Sequence, residues 1–244
     1  MAARRFLSAV SPILATVHRG NNFEERSMKI LQDHLSMSLR RVGGKSDGGI
    51  DLMGWWWLPP AESEPQNVPD ALPPRRRLRV LAQCKAEKKK AGPHYVREME
   101  GVLHRYMSLT GSASSASSQY PLVALLVSES SFTKSTILRA QSSPVPFFLL
   151  HIPPLPDPDA TEDVDEEPSK IGTAVWNPAL AGTRGLLQGK MEARWERSLT
   201  GAGRPGVWWN GQRLRSWTPD GDSEEELTME NEDRFFEALA EGTS

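Results

Sequence analysis

A glycine-rich turn and the strand-like runs on either side of it constrain the fold of this chain most strongly. The turn GGKSDGGID spans residues 43–51 and ends on Asp51, and a later run, RVLAQCK, spans residues 79–85. Side chains two residues apart lie on the same face of a strand, so Gln83 and Lys85 are expected side by side. The sequence therefore predicts two strands that bring a carboxylate, an amide and an ammonium together.

These three residue types suit metal-dependent chemistry on phosphate. A hard divalent cation prefers oxygen ligands, so Asp51 is the first candidate, and the carbonyl of Gln83 or a backbone carbonyl beside it is the second. Such a cation stabilises charge on a phosphate and lowers the pKa of a bound water. Lys85 could orient that water or act as a point charge in the transition state. The pattern thus indicates a metal-dependent phosphodiesterase.

Simpler interpretations compete with this one. Asp47 and Asp51 could be ordinary turn residues, because Gly and Asp are common in tight turns. A Gln and a Lys on one face of an apolar strand favour a functional role, since strand interiors seldom carry such residues. The GGKS stretch is not a phosphate-binding P-loop, because that motif needs a glycine where Leu39 stands.

Three motifs follow one another in an order typical of a nuclease class. A Phe-Glu pair at residues 23–24 precedes the DGGID turn at residues 47–51, and the Q-C-K triplet follows at residues 83–85. This order resembles the Mrr-like branch of the PD-(D/E)XK nucleases, over roughly residues 20–152. The resemblance implies a restriction-endonuclease-like fold that hydrolyses nucleic acid, most often DNA.

The same resemblance implies a set of site residues. The catalytic set is Glu24, Asp51, Gln83 and Lys85, and the metal, Mg²⁺ or Mn²⁺, is held by Asp51, Glu24 and Gln83. Gln83 is normal for the Mrr-like branch, whose second motif reads Q-x-K, but most of the superfamily has Asp or Glu there, which leaves one carboxylate fewer here. Composition does not separate Glu24 from Glu25, because the helix dipole favours any acid near a helix start. Only the resemblance selects Glu24.

Features at both ends extend the resemblance to nearly the whole chain. The first 20 residues hold three arginines (Arg4, Arg5 and Arg19), and no acid precedes Glu24. This composition is typical of a mitochondrial transit peptide, although a plain flexible terminus would share it. With a WNP segment at residues 176–178, the chain resembles the fungal "required for respiratory growth" mitochondrial family. The resemblance implies a mitochondrial, most often matrix, protein that acts in genome maintenance.

The charge is divided between the two halves of the chain. Residues 1–110 hold 18 Lys and Arg against 11 Asp and Glu, whereas residues 111–244 hold 11 against 20. A basic half that carries the candidate site favours a polyanionic partner such as nucleic acid. The candidate phosphate contacts are two basic runs, which could equally be solvated charge: Lys88, Lys89 and Lys90, and Arg75, Arg76 and Arg77.

Composition sets further bounds. No apolar run approaches the 18 residues typical of a membrane span. The single cysteine, Cys84, excludes an internal disulfide and suits a reducing compartment. Cys84 lies between Gln83 and Lys85, so its side chain should point into the core from the opposite face of the strand.

Hydrophobic patterning predicts an α/β fold, a mixed sheet flanked by helices, with a Trp-rich C-terminal extension. The domain order is a targeting segment (residues 1–20), a restriction-endonuclease-like domain (21–152, with a proline-rich insertion at 59–78), an acidic linker (153–170) and an extension (171–244). A helix is expected from Asn22 to the glycines at 43–44, and a last helix at 230–240. Strands are expected at residues 50–58, 79–85, 122–127 and 145–152.

Three functions remain open at this stage. The first is a mitochondrial metal-dependent deoxyribonuclease. The second is a catalytically silent nuclease-fold protein that binds nucleic acid or serves as an assembly factor. The third is a purely structural mitochondrial protein, which would show neither metal nor nucleic-acid binding.

Overall fold

The computed structural model describes residues 12–42, 49–60, 75–112, 120–155, 171–197 and 203–219. The predicted mixed sheet flanked by helices is confirmed: these residues form a mixed α/β structure whose main sheet has six strands. The elements are α1 (Pro12–Leu35), β1 (Met37–Arg41), β2 (Leu52–Leu58), β3 (Arg76–Lys85), α2 (Pro93–Ser112), β4 (Leu122–Ser128), α3 (Lys134–Gln141), β5 (Phe147–His151), β6 (Thr173–Trp176), α4 (Pro178–Ala181), β7 (Met191–Arg197), β8 (Gly203–Trp209) and β9 (Gln212–Arg213).

The main sheet has the strand order β1-β2-β3-β4-β5-β6. Strands β1 to β3 are antiparallel neighbours, β3 to β5 run parallel, and β6 returns antiparallel to β5. Lys85 pairs with Ser128, which in turn pairs with His151, while Leu52 at the start of β2 pairs with Ala82. The start of β2 and the ends of β3, β4 and β5 therefore meet at one edge of the sheet.

The core has two layers, one on each face of this sheet. Helix α1 packs on one face, and helices α2 and α3 pack on the other. Alternation along β3 divides its side chains between the layers, because successive strand residues point to opposite faces. Leu78, Val80 and Ala82 lie on the α1 side, and Leu81 lies on the α2 side.

The first helix differs from its predicted extent at both ends. It begins at Pro12 rather than Asn22, and it ends at Leu35 instead of continuing to the glycines at 43–44. Ser36 takes a left-handed conformation with φ of 55°, and its hydroxyl donates to the carbonyl of Arg215 and accepts from the backbone N–H of Trp217. These contacts with a distant segment turn the chain into β1, which the helical periodicity had concealed.

The C-terminal extension packs on the α1-side core and also forms a small sheet of its own. Strands β7 to β9 form a small separate sheet. Its apolar side chains and those of the turn before it join the α1-side core; they are Leu187, Met191, Val207, Trp209 and Leu214. The turn residues 43–48, most of the proline-rich insertion, most of the acidic linker and the predicted helix at 230–240 lie outside the described residues. Within the described residues, no helix is long and apolar enough to cross a membrane.

Asn177, the centre of the WNP segment, joins four parts of the fold. Its side chain is almost completely buried. Its Oδ1 accepts from the N–H groups of Phe147 and Leu180, which begin β5 and belong to α4. Its Nδ2 donates to three carbonyls at the end of α3 and in the turn before β5, those of Ala140, Ser143 and Val145. One amide thus satisfies five backbone groups.

We predict that Asn177→Ala lowers the free energy of unfolding by about 2–4 kcal/mol, because it leaves several buried backbone groups unpaired. Asn177→Asp should be at least as damaging, since it keeps the acceptor but turns an anion toward three carbonyls. Urea unfolding followed by tryptophan fluorescence measures both. Ser142→Ala, which removes an exposed hydroxyl bonded to Arg139, is the control and should change stability by less than about 0.5 kcal/mol. An Asn177→Ala protein as stable as that control would contradict the prediction.

Candidate active site

Asp51 is fixed at the edge of the sheet by three backbone contacts. Its N–H donates to the carbonyl of Ala82 at 2.9 Å, and its carbonyl accepts from Val42 at 3.0 Å. Its carboxylate Oδ2 accepts from the backbone N–H of Cys84 at 2.7 Å. A hydrogen bond to an ionised acceptor is stronger than a neutral one, so this contact fixes the carboxylate against the end of β3.

Gln83 is buried beside Asp51. Leu52 pairs with Ala82 in the antiparallel ladder between β2 and β3. One residue further along the same register, Asp51 lies opposite Gln83. Gln83 is only 3% exposed, and its Oε1 has no hydrogen-bond partner within the described part of the chain. A Cβ on Gly49 would lie 2.9 Å from its Nε2, and Gly49 has a φ of 88°, so only glycine suits that position.

Lys85 lies on the same face as Gln83, as the strand period predicted. Its ammonium is 4.8 Å from the centroid of the Tyr95 ring, which belongs to α2. The Tyr95 hydroxyl donates to the carboxylate of Glu87. Burial and this hydrogen bond raise the pKa of Tyr95 to about 12, so the phenol is a neutral donor at physiological pH.

Glu24 comes to the site from α1. Its carboxylate accepts from Nε of Arg41 at 2.7 Å, and Nη2 of Arg41 also donates to Asn21. The side chain of Glu24 is 17% exposed, whereas that of neighbouring Glu25 is 64% exposed. The structure therefore distinguishes two acids that composition left equivalent, and it turns Glu24 inward.

The pKa of the Cys84 thiol is affected by charged residues on both sides of it. Burial raises the pKa of the Cys84 thiol well above its usual value, and the charges of Asp51 and Glu24 raise it further. A hydrogen bond with Ser27 and the charge of Lys85 act in the opposite direction. Cys84 packs on the α1 side of the sheet, opposite Gln83 and Lys85, as predicted. Asp51, Gln83 and Lys85 therefore lie together at the end of β3, and Glu24 approaches that end from the α1 side of the sheet.

The candidate site at the end of β3 offers few oxygen ligands for a cation. No group of three His, Cys, Asp or Glu side chains suited to a metal occurs among the residues that the structure describes. The oxygen donors here are the two carboxylates of Asp51 and Glu24 and the buried amide oxygen of Gln83.

The two basic runs lie at opposite ends of β3. Lys88, Lys89 and Lys90 are exposed and directly follow the strand at the site edge. Arg76 is nine residues from Lys85, about 30 Å away at the rise of an extended strand. Arg75 and Arg77 stack on aromatic rings, and burial lowers the pKa of Arg75 and Arg76. The structure brings only the lysines close to the predicted catalytic residues.

Sequence reasoning did not identify several residues around the site. Arg41 was assigned to a helix, so its contact with Glu24 could not be foreseen. Tyr95 lies four residues before Met99 on the buried face of α2, and that spacing could have indicated its orientation. Arg19, within the segment assigned to targeting, pairs with Glu129 directly after β4.

The raised pKa of Cys84 predicts that its thiol reacts slowly with disulfide reagents. The thiolate is the reactive form, so at pH 8 the folded chain should react with an aromatic disulfide reagent at least about 10-fold more slowly than the denatured chain. Because Cys84 is the only cysteine, the absorbance of the released thiol reports this site alone. Asp51→Asn, which keeps an acceptor for the Cys84 N–H but removes a charge, should react faster than the native chain. Equal rates for folded and denatured protein would contradict the assignment.

Comparison with known proteins extends these observations. A model of the family described as "Required for respiratory growth protein 7" matches residues 15–178. An uncharacterised mitochondrial protein of Schizosaccharomyces pombe is 32% identical over 137 residues, which cover 56% of this chain and 45% of that protein. "Required for respiratory growth protein 7, mitochondrial" of Saccharomyces cerevisiae is 30% identical over 166 residues, covering 57% of this chain and 66% of that protein.

The chain thus spans less than two thirds of the length of either relative. No solved structure matches it. Both relatives are named as mitochondrial proteins, which supports a mitochondrial location. Because the matched residues 15–178 are well over half of the 244-residue chain, it belongs to the "Required for respiratory growth protein 7" family.

Proposed function

We propose that this chain is a mitochondrial nuclease of restriction-endonuclease-like fold that hydrolyses DNA phosphodiester bonds with a divalent metal. One observation carries the proposal: Asp51 from the turn before β2 lies beside Gln83 and Lys85 at the end of β3, and Glu24 of α1 approaches that end from the other face of the sheet. A resemblance based on short motifs predicts such convergence, whereas unrelated turn and strand residues would have no reason to meet.

The residues present suit Mg²⁺ or Mn²⁺. Both ions prefer oxygen ligands, and the site offers the carboxylates of Asp51 and Glu24 with the amide oxygen of Gln83. Among the residues that the structure describes, the buried Oε1 of Gln83 has no hydrogen-bond partner; this supports the assignment, because a buried acceptor is more stable when a ligand satisfies it. A bound ion would supply charge stabilisation for the phosphate and a water of lowered pKa.

The other groups have roles that follow from their positions. The Cys84 N–H orients Asp51, and the guanidinium of Arg41 orients Glu24. The Lys85 ammonium is a compact positive charge at the same edge, suited to a phosphate oxygen on which negative charge develops. Lys88, Lys89 and Lys90 extend this positive surface and would contact the nucleic-acid backbone without reading sequence.

The names of the relatives support a mitochondrial setting for the proposed function. Both are named mitochondrial, and one is named for a requirement in respiratory growth. We place this chain in the mitochondrial matrix with a role in maintaining the mitochondrial genome, on which respiratory growth depends.

A second function is favoured by the composition of the site. Gln83 replaces a carboxylate, and Glu24 is already engaged by Arg41. Both features reduce the negative charge available to a cation. A catalytically silent protein that binds nucleic acid, or an assembly factor on the same fold, would retain this geometry without turnover.

Cleavage by the full chain is the first test. Labelled plasmid and single-stranded DNA should be cut with Mg²⁺ or Mn²⁺ and remain intact with EDTA. Asp51→Asn and Lys85→Ala should each lower kcat by about 100-fold or more, because the first removes a charged metal ligand and the second removes a positive charge that would stabilise the reacting phosphate. Both variants should unfold at urea concentrations close to that of the native chain.

The matched controls are Asp33→Asn and Lys134→Ala, which alter exposed residues of the same types elsewhere. They should cut at the native rate. Native-like cleavage by Asp51→Asn, or cleavage in EDTA, would contradict the nuclease assignment. Salt-sensitive DNA binding without cleavage by the native chain would support the second function.

Binding distinguishes the two basic runs. Replacing Lys88, Lys89 and Lys90 together by Gln should weaken DNA binding and reduce the slope of log K against log salt by about 2–3, since each phosphate contact contributes about 0.9. Arg75→Gln should leave the slope unchanged, because Arg75 stacks on Trp217. Fluorescence anisotropy at several salt concentrations measures both. A larger change for Arg75→Gln would show that DNA contacts the opposite end of β3.

A further inference from the structure

Lys85 stands at the end of β3, where its side chain needs a partner to hold one position. A lysine side chain has four rotatable carbon–carbon bonds and a strongly hydrated head, so a partly exposed lysine samples many positions. Here the ammonium lies 4.8 Å from the centroid of the Tyr95 ring. This distance is within the range of a cation–π interaction.

The Tyr95 ring is itself rigidly held. It is 9% exposed and belongs to the α2-side core. Its hydroxyl donates to Glu87, which lies in the loop between β3 and α2. The hydroxyl of Ser130 donates to the backbone carbonyl of Glu87, and a backbone bridge joins Ala91 to Phe132. The loop that carries Glu87 is therefore attached at the glutamate and again at Ala91.

The hydrogen bond to Glu87 also strengthens the contact of Tyr95 with Lys85. A phenol that donates to a carboxylate is polarised, because successive hydrogen bonds reinforce one another in a weakly polar environment. Polarisation increases the electron density of the ring, and a cation over the ring face is attracted to that density. Glu87, Tyr95 and Lys85 form a chain in which each member restrains the next.

We propose that Tyr95, braced by Glu87, is a positioning residue that holds the Lys85 ammonium at the place where a substrate phosphate is attacked. The catalytic part of this proposal rests on the proposed nuclease function. The contact itself exists in the free protein, so it can be tested without any turnover. A purely structural role for Tyr95 would predict no specific effect on Lys85.

NMR of the full chain with ¹³C-labelled lysine tests the contact. The Lys85 ε-methylene signal is assigned by its loss in Lys85→Arg, and the face of an aromatic ring should shift it upfield. Tyr95→Leu should return the signal to the position of an exposed lysine. Tyr95→Phe should keep most of the shift, and Glu87→Gln should reduce it. Tyr106→Leu, a change at another buried tyrosine of α2, is the control and should leave it in place.

Cleavage kinetics test the consequence. Tyr95→Leu should lower kcat by about 10-fold or more with little change in KM, because displacement of a reacting group reduces rate more than binding. Tyr95→Phe should recover most of the rate, and Tyr106→Leu should retain it.

The two measurements separate the possible failures. If the Lys85 ε-methylene of the native chain has the chemical shift of an exposed lysine, the positioning role is overturned whether or not DNA is cut. Native-like kcat in Tyr95→Leu, or equal losses in Tyr95→Leu and Tyr106→Leu, would also overturn it. A shifted Lys85 signal in a chain that cuts no DNA would support the contact and reject the nuclease function instead.

Discussion

The hydrogen bond from the Cys84 N–H to the Asp51 carboxylate is the contact on which the site depends. The Ala82 carbonyl accepts from Asp51, so Ala82 and Cys84 direct their backbone groups toward β2. Lys85 directs its carbonyl the other way, to Glu129 beside β4. Beyond Leu52 the β2 ladder ends, and the Cys84 N–H would lack a strand partner. The Asp51 carboxylate supplies one, because buried backbone donors are nearly always paired.

This arrangement places the buried polar side chain of Gln83 beside Asp51 at the end of β3. Oε1 of Gln83 has no hydrogen-bond partner among the described residues, and leaving a buried acceptor unpaired costs about 1–3 kcal/mol, a large fraction of the roughly 5–15 kcal/mol that stabilises a typical domain. Gly49 packs closely against Gln83: a side chain at position 49 would collide with the Gln83 amide, and the backbone there has a positive φ.

The sequence predicted the parts of this site that follow from local spacing. Strand period placed Gln83 and Lys85 on one face, and the motif order selected Glu24 over Glu25. It did not predict β1, because Leu39 continues the helical pattern and only contacts from residues 215 and 217 turn the chain at Ser36. A distant segment decided the local structure, and no window of the sequence contains that information. Arg41 was missed for the same reason.

The ion pair between Glu24 and Arg41 bears on whether the site can hold a cation. Both side chains are partly exposed. Exposed ion pairs contribute only about 0–1 kcal/mol to stability, so a divalent cation could displace Arg41 from Glu24 at a small cost in free energy. The guanidinium could then turn to solvent or to a phosphate oxygen. The replacement of a carboxylate by Gln83 is different, because an amide provides no negative charge in any conformation. If the chain is catalytically silent, the physical reason lies in Gln83 rather than in Arg41.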